Sequence, residues 1–572
     1  MPHPENISVN IGAQNFASLI QEGKFYIDKT YFIKELWEHG SDVTLITRPR
    51  RFGKTLNLSM VECFFSNAYE GRSDLFEGLS IWNDEKYRDL QGTYPVIFLS
   101  FASIKTGKLE SIKFAVKMII RNVFDNFRYI MQSDLFNEND RKYYDSVTHQ
   151  MPDEIAFSAL SNLCIYLKKY FGKNVIILLD EYDTPMQEAH LAGSWNEAVD
   201  FFRSFFNDVF KTNRHLHRGL ITGITRISRE SIFSGLNNPE VITTTSTAYA
   251  TAFGFTEDEV FQALYDAGLG REKQGVKHWY DGFTFGNVPD IYNPWSIANF
   301  INNRGEYGAY WADSSSNDLI DSLIRQSSPD VKKNMETLLQ GRSFEAEIDE
   351  QLVYHQLVEN ENAIWSLLLA TGYLRIEKVV RKGRLLKKNY TLRLTNIEVE
   401  SMFAKMIDGW FHGEETAYNN FIKALLIDDV NSMNEFMNKI ALQSFSSFDT
   451  AKNASKSDNP ERFYHGFVLG LMVEFEERFA IISNRESGFG RYDVMLEPLD
   501  RERDNAYIIE FKVRKPREEK DIEETLSNAL AQIEAKQYEA SLVAKGIPPR
   551  RIRKYGFAFE GKKVLIGRGA GV

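Results

Sequence analysis

The chain has 572 residues, enough for about three or four domains, and with 13% aromatic and 43% hydrophobic residues disorder is not expected over most of its length. A net charge of −11 excludes a surface that is basic throughout, though not a local basic groove. Cys63 and Cys164 are too few for a disulfide framework, no apolar run reaches the roughly 18–20 residues of a spanning helix, and MPHPENISVN lacks a signal-peptide pattern, so a cytoplasmic protein with no membrane segment is expected.

Residues 1–42 form a lead-in in which Phe32, Ile33, Leu36 and Trp37 recur at helical spacing. The apolar run VTLIT (43–47) predicts a buried strand, followed by the basic turn RPRRF, then Gly53-Lys54-Thr55, then a helix over 56–65. Further strands are predicted at 94–101, 174–183 and 217–228, separated by helices over 109–131, 154–170 and 195–210. Strands spaced by long helices imply a parallel sheet with helices on both faces. Thr256 and Glu259 form a capping-box pattern, and residues 278–301 are aromatic and turn-rich before entering a helix. A helix at IWSLLLATG precedes a hairpin, YLRIEKVV and NYTLRLT, and residues 401–445 are helical. The polar stretch 449–459 is the best linker. Beyond it come a buried helix (461–475), strands at 478–483, 491–498 and 506–513, one helix over 518–545 and a closing hairpin.

Strand, turn, Gly-Lys-Thr and helix is the layout of a phosphate-binding loop, in which backbone N–H groups face an anion, Lys54 reaches the outer phosphates and the Thr55 hydroxyl ligates Mg²⁺. A strand-to-helix turn with an exposed lysine carries the same triplet. The pattern G-x-x-x-x-G-K-[ST] requires Gly where this chain has Arg48. Pro49 fixes the next φ, and Arg48, Arg50 and Arg51 add positive charge close to the phosphates. The strand VIILLDE ends in Asp180, suited to the Mg²⁺ shell, and Glu181, suited to orienting or deprotonating water. Arg226, after Thr222 and Thr225, is placed to sense a γ-phosphate, with a surface ion pair as the alternative.

FYIDKT, LITRPRRFGKT, IILLDEYD, TGITRIS and DGFTFG with YNPWSI, in this order, resemble the bacterial AAA-ATPase-like family over roughly residues 7–300. That family's loop typically reads RPRRFGK[ST], so Arg48 fits its pattern. The resemblance implies ATP binding through Lys54 and Thr55, Mg²⁺ held through Asp180, and hydrolysis assisted by Glu181; the residue reading adds Arg48, Arg50, Arg51, Gly53 and Arg226 as expected nucleotide contacts and Thr55 as an expected Mg²⁺ ligand. It also implies a winged-helix-like region at 256–400, a C-terminal nuclease-like domain, and allows homo-oligomers in which an arginine acts across an interface.

On AYIIEFKV, Glu510 and Lys512 share a strand face. With Asp493 on a neighbouring strand they make an acid–acid–lysine set suited to Mg²⁺-dependent phosphodiester hydrolysis; a salt bridge between strands is the alternative. Glu461 is a further candidate ligand, and Gln532 would steady the lysine or the water. The order of these elements resembles the PD-(D/E)XK superfamily, with Asp493, Glu510, Lys512 and Gln532 at its catalytic positions. Lys545, Arg550, Arg551, Arg553, Lys554, Lys562, Lys563 and Arg568 crowd the same block, with only Glu560 opposing them locally, as expected of a phosphate-contacting patch.

The expected architecture is α/β: a P-loop NTPase domain with a parallel sheet over 1–235, a helical and winged-helix-like region over 236–400, a helical connector and linker over 401–459, and a PD-(D/E)XK-like α/β domain over 460–572. The expected function is an ATP-binding ATPase coupled to a Mg²⁺-dependent nuclease acting on nucleic acid, DNA in the first place. The competing reading is a nucleotide-controlled interaction switch whose last domain binds nucleic acid or protein without cleaving.

Overall fold

Five strands, β1 (Val43–Thr47), β2 (Val96–Ser100), β3 (Val175–Asp180), β4 (Leu216–Gly223) and β5 (Glu240–Ile242), form one sheet in the order β2-β3-β4-β1-β5. Every pairing in it is parallel. All residues of β1 and β3 are buried on both faces, which explains their continuous apolar sequence. Helices Lys54–Phe65, Leu109–Asn126 and Asp153–Phe171 pack against this sheet. The computed structural model describes residues 8–39, 41–226, 239–312, 320–321, 323–324, 327, 329–339, 341–348, 362–382, 387–409, 415–444, 478–483, 486–487, 490–491 and 494–569. It divides into two units, residues 1–323 with 343–400, and residues 324–342 with 401–572.

The rest of the first unit is built from short sheets and helices. Strands β6 (Phe255–Thr256), β7 (Phe283–Phe285) and β8 (Val288–Tyr292) order as β6-β8-β7. Beside them helices Glu257–Asp266, Lys273–Tyr280 and Pro294–Asn302 share a core of Val260, Leu264, Tyr280, Tyr292 and Phe300. The capping box forms: Glu259 N donates to Thr256 Oγ1 and Thr256 N to the Glu259 carboxylate. Strands β9 (Phe344–Ala346), β10 (Leu374–Lys382) and β11 (Lys387–Leu394) order as β10-β11-β9, the β10–β11 hairpin being the one expected from sequence.

In the second unit a mixed sheet orders as β12-β15-β16-β17-β18. Its strands are β12 (Phe479–Ser483), β15 (Val494–Pro498), β16 (Ala506–Val513), β17 (Ile552–Glu560) and β18 (Lys563–Arg568), while β13 (Glu486–Ser487) and β14 (Gly490–Arg491) make a small ribbon. Only β16 and β17 run parallel. Alternation along β16 sorts the two faces. Tyr507, Ile509 and Phe511 join one core, and Ala506 and Ile508 join another that contains Ile533 and Tyr538.

Helices Glu415–Leu426 and Val430–Ser444, read as a connector, instead cover the Tyr507–Phe511 face with Phe421, Leu425, Met433 and Met437. Asn434 and Asn438 each donate to and accept from the main chain of β18, at Ile566 and Val564. The single helix expected over 518–545 is two, Ile522–Lys536 and Ala540–Ala544. Gln537 is left-handed (φ 53) and turns the chain so that Tyr538 enters the core. The linker read at 449–459 and the helix read at 461–475 lie outside the described residues.

Helix Ile522–Lys536 approaches the sheet over two glycines. A Cβ on Gly556 would stand 2.9 Å from Leu526 Cδ1, and one on Gly567 2.7 Å from Leu526 Cδ2. Gly556→Val is expected to destabilise the second unit by about 1–3 kcal/mol through overpacking, read as a lower urea midpoint. A second prediction concerns pH. Burial and a hydrogen bond with Asp290 push the Asp281 carboxyl up to about 7. Its contribution is complete below the ordinary aspartate range and is lost as pH rises through about 7. Wild type should therefore lose melting temperature relative to Asp281→Asn between pH 4 and 8; a constant difference would refute this.

Candidate functional site

The loop between β1 and helix Lys54–Phe65 lies at the carboxyl ends of the parallel strands, where ligands of such sheets bind. Gly53 caps the helix in the left-handed conformation (φ 78), which a glycine adopts without steric cost. The loop borders a cavity of about 810 Å³. Arg50, Arg51, Gly53, Lys54, Thr55 and Glu181 all line it.

Lys54 is 4% exposed, and its Nζ donates to the carbonyls of Arg48 (3.2 Å) and Pro49 (3.1 Å) and stands 3.7 Å from Glu181. The Thr55 hydroxyl donates to Asp180 Oδ2 and the Thr222 hydroxyl to Asp180 Oδ1, both at 2.6 Å. Asp180 is buried, and burial together with Glu181 beside it pushes its carboxyl above the usual range. The hydroxyl and carboxylate together form an oxygen set that fits Mg²⁺, a cation that keeps several waters and completes its shell with substrate phosphates. Among the described residues no group of three or more His, Cys, Asp or Glu is placed to hold a metal by protein ligands alone.

Arg48 departs from expectation. It is fully buried and does not line the cavity. Its guanidinium donates to the carbonyls of Thr47 (2.9 Å), Thr243 (2.8 Å) and Tyr249 (3.3 Å) and lies 4.5 Å over the Phe285 ring. Burial pulls its pKa down to about 9. The side chain therefore shapes the turn, and the phosphate contact expected of it is corrected. Arg226 follows Thr225 at the end of β4 and does not line the cavity either.

Asp183 was not singled out from sequence, although it is the third acid of DEYD. It is fully buried and its Oδ2 accepts from Ile224 N, Thr225 N and the Thr225 hydroxyl, which ties the end of β3 to that of β4. Burial, and then Glu181, push its carboxyl up to about 6.

In the second unit Glu510 is 2% exposed on the β16 face that helix Ile522–Lys536 covers. Lys512 Nζ is 3.6 Å from its Oε1, the i, i+2 pairing read from the sequence, and Gln532 Nε2 donates to the same oxygen. Gln532 also donates to the hydroxyl of Tyr538 (2.9 Å), a neighbour that the unbroken helix concealed. Asp493 and Glu461 lie outside the described residues.

The basic patch expected here is largely neutralised from within. Lys545 pairs with Glu497, Lys554 with Glu534 and Glu539, and Arg553 and Arg568 with Asp428. Arg551 donates to the carbonyls of Arg501, Glu502 and Asp504. These acceptors come from other elements, which the local sequence could not reveal.

A curated protein of Azotobacter chroococcum mcd 1, named an uncharacterized protein in the vnfD 5′ region, is 27% identical over 400 residues, spanning 68% of this chain and 68% of its own. Residues 10–233 match the family described as a predicted AAA-ATPase, and residues 459–569 match the PD-(D/E)XK nuclease superfamily. The loop, the acids of β3 and the pair on β16 fall within these spans, so the chain carries a domain of the predicted AAA-ATPase family followed by one of the PD-(D/E)XK nuclease superfamily.

Proposed function

We propose that the protein is an ATPase whose first unit binds and hydrolyses Mg²⁺-ATP and whose second unit cleaves nucleic acid, DNA in the first place, with metal. The observation that carries the reading is the convergence of Lys54, Thr55 and Glu181 on one cavity at the carboxyl edge of a parallel sheet, with the buried Asp180 accepting from the Thr55 hydroxyl behind it. An incoming phosphate would draw Lys54 Nζ from the Arg48 and Pro49 carbonyls, exchanging neutral acceptors for charged ones. Thr55 and Asp180 would hold the metal, which when bound neutralises charge on the outer phosphates. Glu181 is the general-base candidate, held by a left-handed backbone (φ 52) at the cavity wall.

At β16, Glu510 would hold the metal of the second reaction, Lys512 would place the attacking water, and Gln532 orients the carboxylate. One observation favours a second reading, the interaction switch. The internal pairing of Lys545, Arg553, Lys554 and Arg568 with carboxylates reduces the charge available to a phosphate backbone.

Lys54→Ala should lower ATP turnover, measured as phosphate release, by about 100-fold or more. Turnover equal to wild type would remove the nucleotide site from the reading. Glu510→Gln should abolish Mg²⁺- or Mn²⁺-dependent cleavage of single- and double-stranded substrates while leaving ATP turnover unchanged. A wild-type protein that binds these substrates but cleaves none of them with either metal would favour the switch.

A further inference from the structure

We propose that Asn293 and Trp311 are positioning residues of the nucleotide site, which together fix the Arg50–Arg51 peptide and give an arginine-rich loop a shape that other phosphate loops obtain from glycine. The proposal rests on the nucleotide reading above.

Arg51 has φ 65, a left-handed conformation that side-chain-bearing residues other than Asn and Asp adopt rarely. Such a residue persists only when its surroundings over-determine it. Here the determinant is the peptide preceding it. The Arg50 carbonyl accepts from both Asn293 Nδ2 (3.3 Å) and Trp311 Nε1 (3.1 Å). That carbonyl and the Arg51 N–H lie in one rigid plane. Two donors on the carbonyl therefore set ψ of Arg50 and φ of Arg51 together.

Each donor is itself immobilised. Asn293 is fully buried, and its Oδ1 accepts from Trp295 N (2.8 Å), capping helix Pro294–Asn302. Trp311 is 3% exposed, and its ring lies 5.4 Å from that of Phe283 and 5.3 Å from that of Tyr373. Its main-chain N–H donates to the buried carboxylate of Glu398 (2.5 Å), which also accepts from the Ser296 hydroxyl (2.8 Å). The consequence reaches the cavity. The Arg51 guanidinium lies 4.1 Å over the Trp295 ring, and both groups line the cavity. Asn293 and Trp311 do not line it. Their influence on a bound nucleotide therefore passes through the loop.

The test uses the full chain, Mg²⁺ and ATP. Trp311→Phe keeps a ring and removes the N–H. Asn293→Asp keeps the acceptor for Trp295 N and removes the donor, setting a carboxylate oxygen against the Arg50 carbonyl. Each variant is expected to weaken ATP binding by about tenfold, as one lost hydrogen bond at the loop would. KM for ATP should rise while kcat at saturating ATP stays near wild type, a split that a merely structural loss of folded protein would not produce. If Trp311→Phe gives no cooperative melt, Asn293→Asp carries the test alone. Folded variants that bind ATP with the wild-type Kd would overturn the proposal. A wild-type protein that binds no ATP would overturn the nucleotide reading itself, and the proposal with it.

Discussion

A buried guanidinium with no carboxylate within hydrogen-bonding distance among the described residues constrains the first unit. Arg48 stands where a phosphate loop normally has glycine, and its charge is met by three main-chain carbonyls and the face of Phe285. Taking such a charge out of water is costly unless its N–H groups are satisfied, and Nε has no hydrogen-bond partner among the described residues. The arrangement is sustainable because the acceptors belong to the end of β1 and to the segment 243–249, which it ties together. The loop thereby acquires a floor. Phe52 is locked between Phe283 and Phe285, and the backbone at Gly372 approaches Pro49 so closely that a Cβ there would stand 2.9 Å from its ring. The aromatic, turn-rich stretch that follows the parallel sheet in sequence is thus the mould in which the phosphate loop is cast.

The second unit solves a different electrostatic problem. Its cations converge on a few acids that are themselves partly buried, Glu497, Asp428 and Glu539 among them. Asp428, itself left-handed (φ 65) in the turn between two helices, accepts from the Tyr555 hydroxyl and pairs with Arg553 and Arg568. That one carboxylate joins the helical layer to two strands. The charge that looked like a docking surface in one dimension is in large part the cement of the fold. Glu510 differs in kind: a cation paired with it, Lys512, sits on its own strand, and an amide that donates to it, Gln532, on the covering helix.

The sequence made the parallel sheet, the Gly-Lys-Thr turn and the Glu510–Lys512 face legible because each depends on local periodicity and short spacing. Apolar runs named the buried strands, and Thr256–Glu259 named a helix start. What it hid depends on contacts distant in the chain. Two of the three acceptors of Arg48 lie 195 and 201 residues away, and the donors to the Arg50 carbonyl lie 243 and 261 residues away. The helices at 415–444 read as a connector because their partner strands arrive more than a hundred residues later. The break at Gln537 carries no Gly or Pro to announce it; burial of Tyr538 decides it.

The two asparagines facing β18 carry a consequence for how this domain behaves in a crowded cell. An outermost strand ordinarily presents a row of bare peptide groups to which another extended chain can add. Asn434 and Asn438 stand one helical step of four residues apart, about 6 Å of rise. Val564 and Ile566 stand two strand residues apart, about 6.8 Å. The near match lets each carboxamide present its N–H and C=O to one residue of the strand, imitating a neighbouring backbone. The helix thus serves as a counterfeit sixth strand. It closes that margin of the sheet to fibril-like stacking and to capture of foreign extended segments.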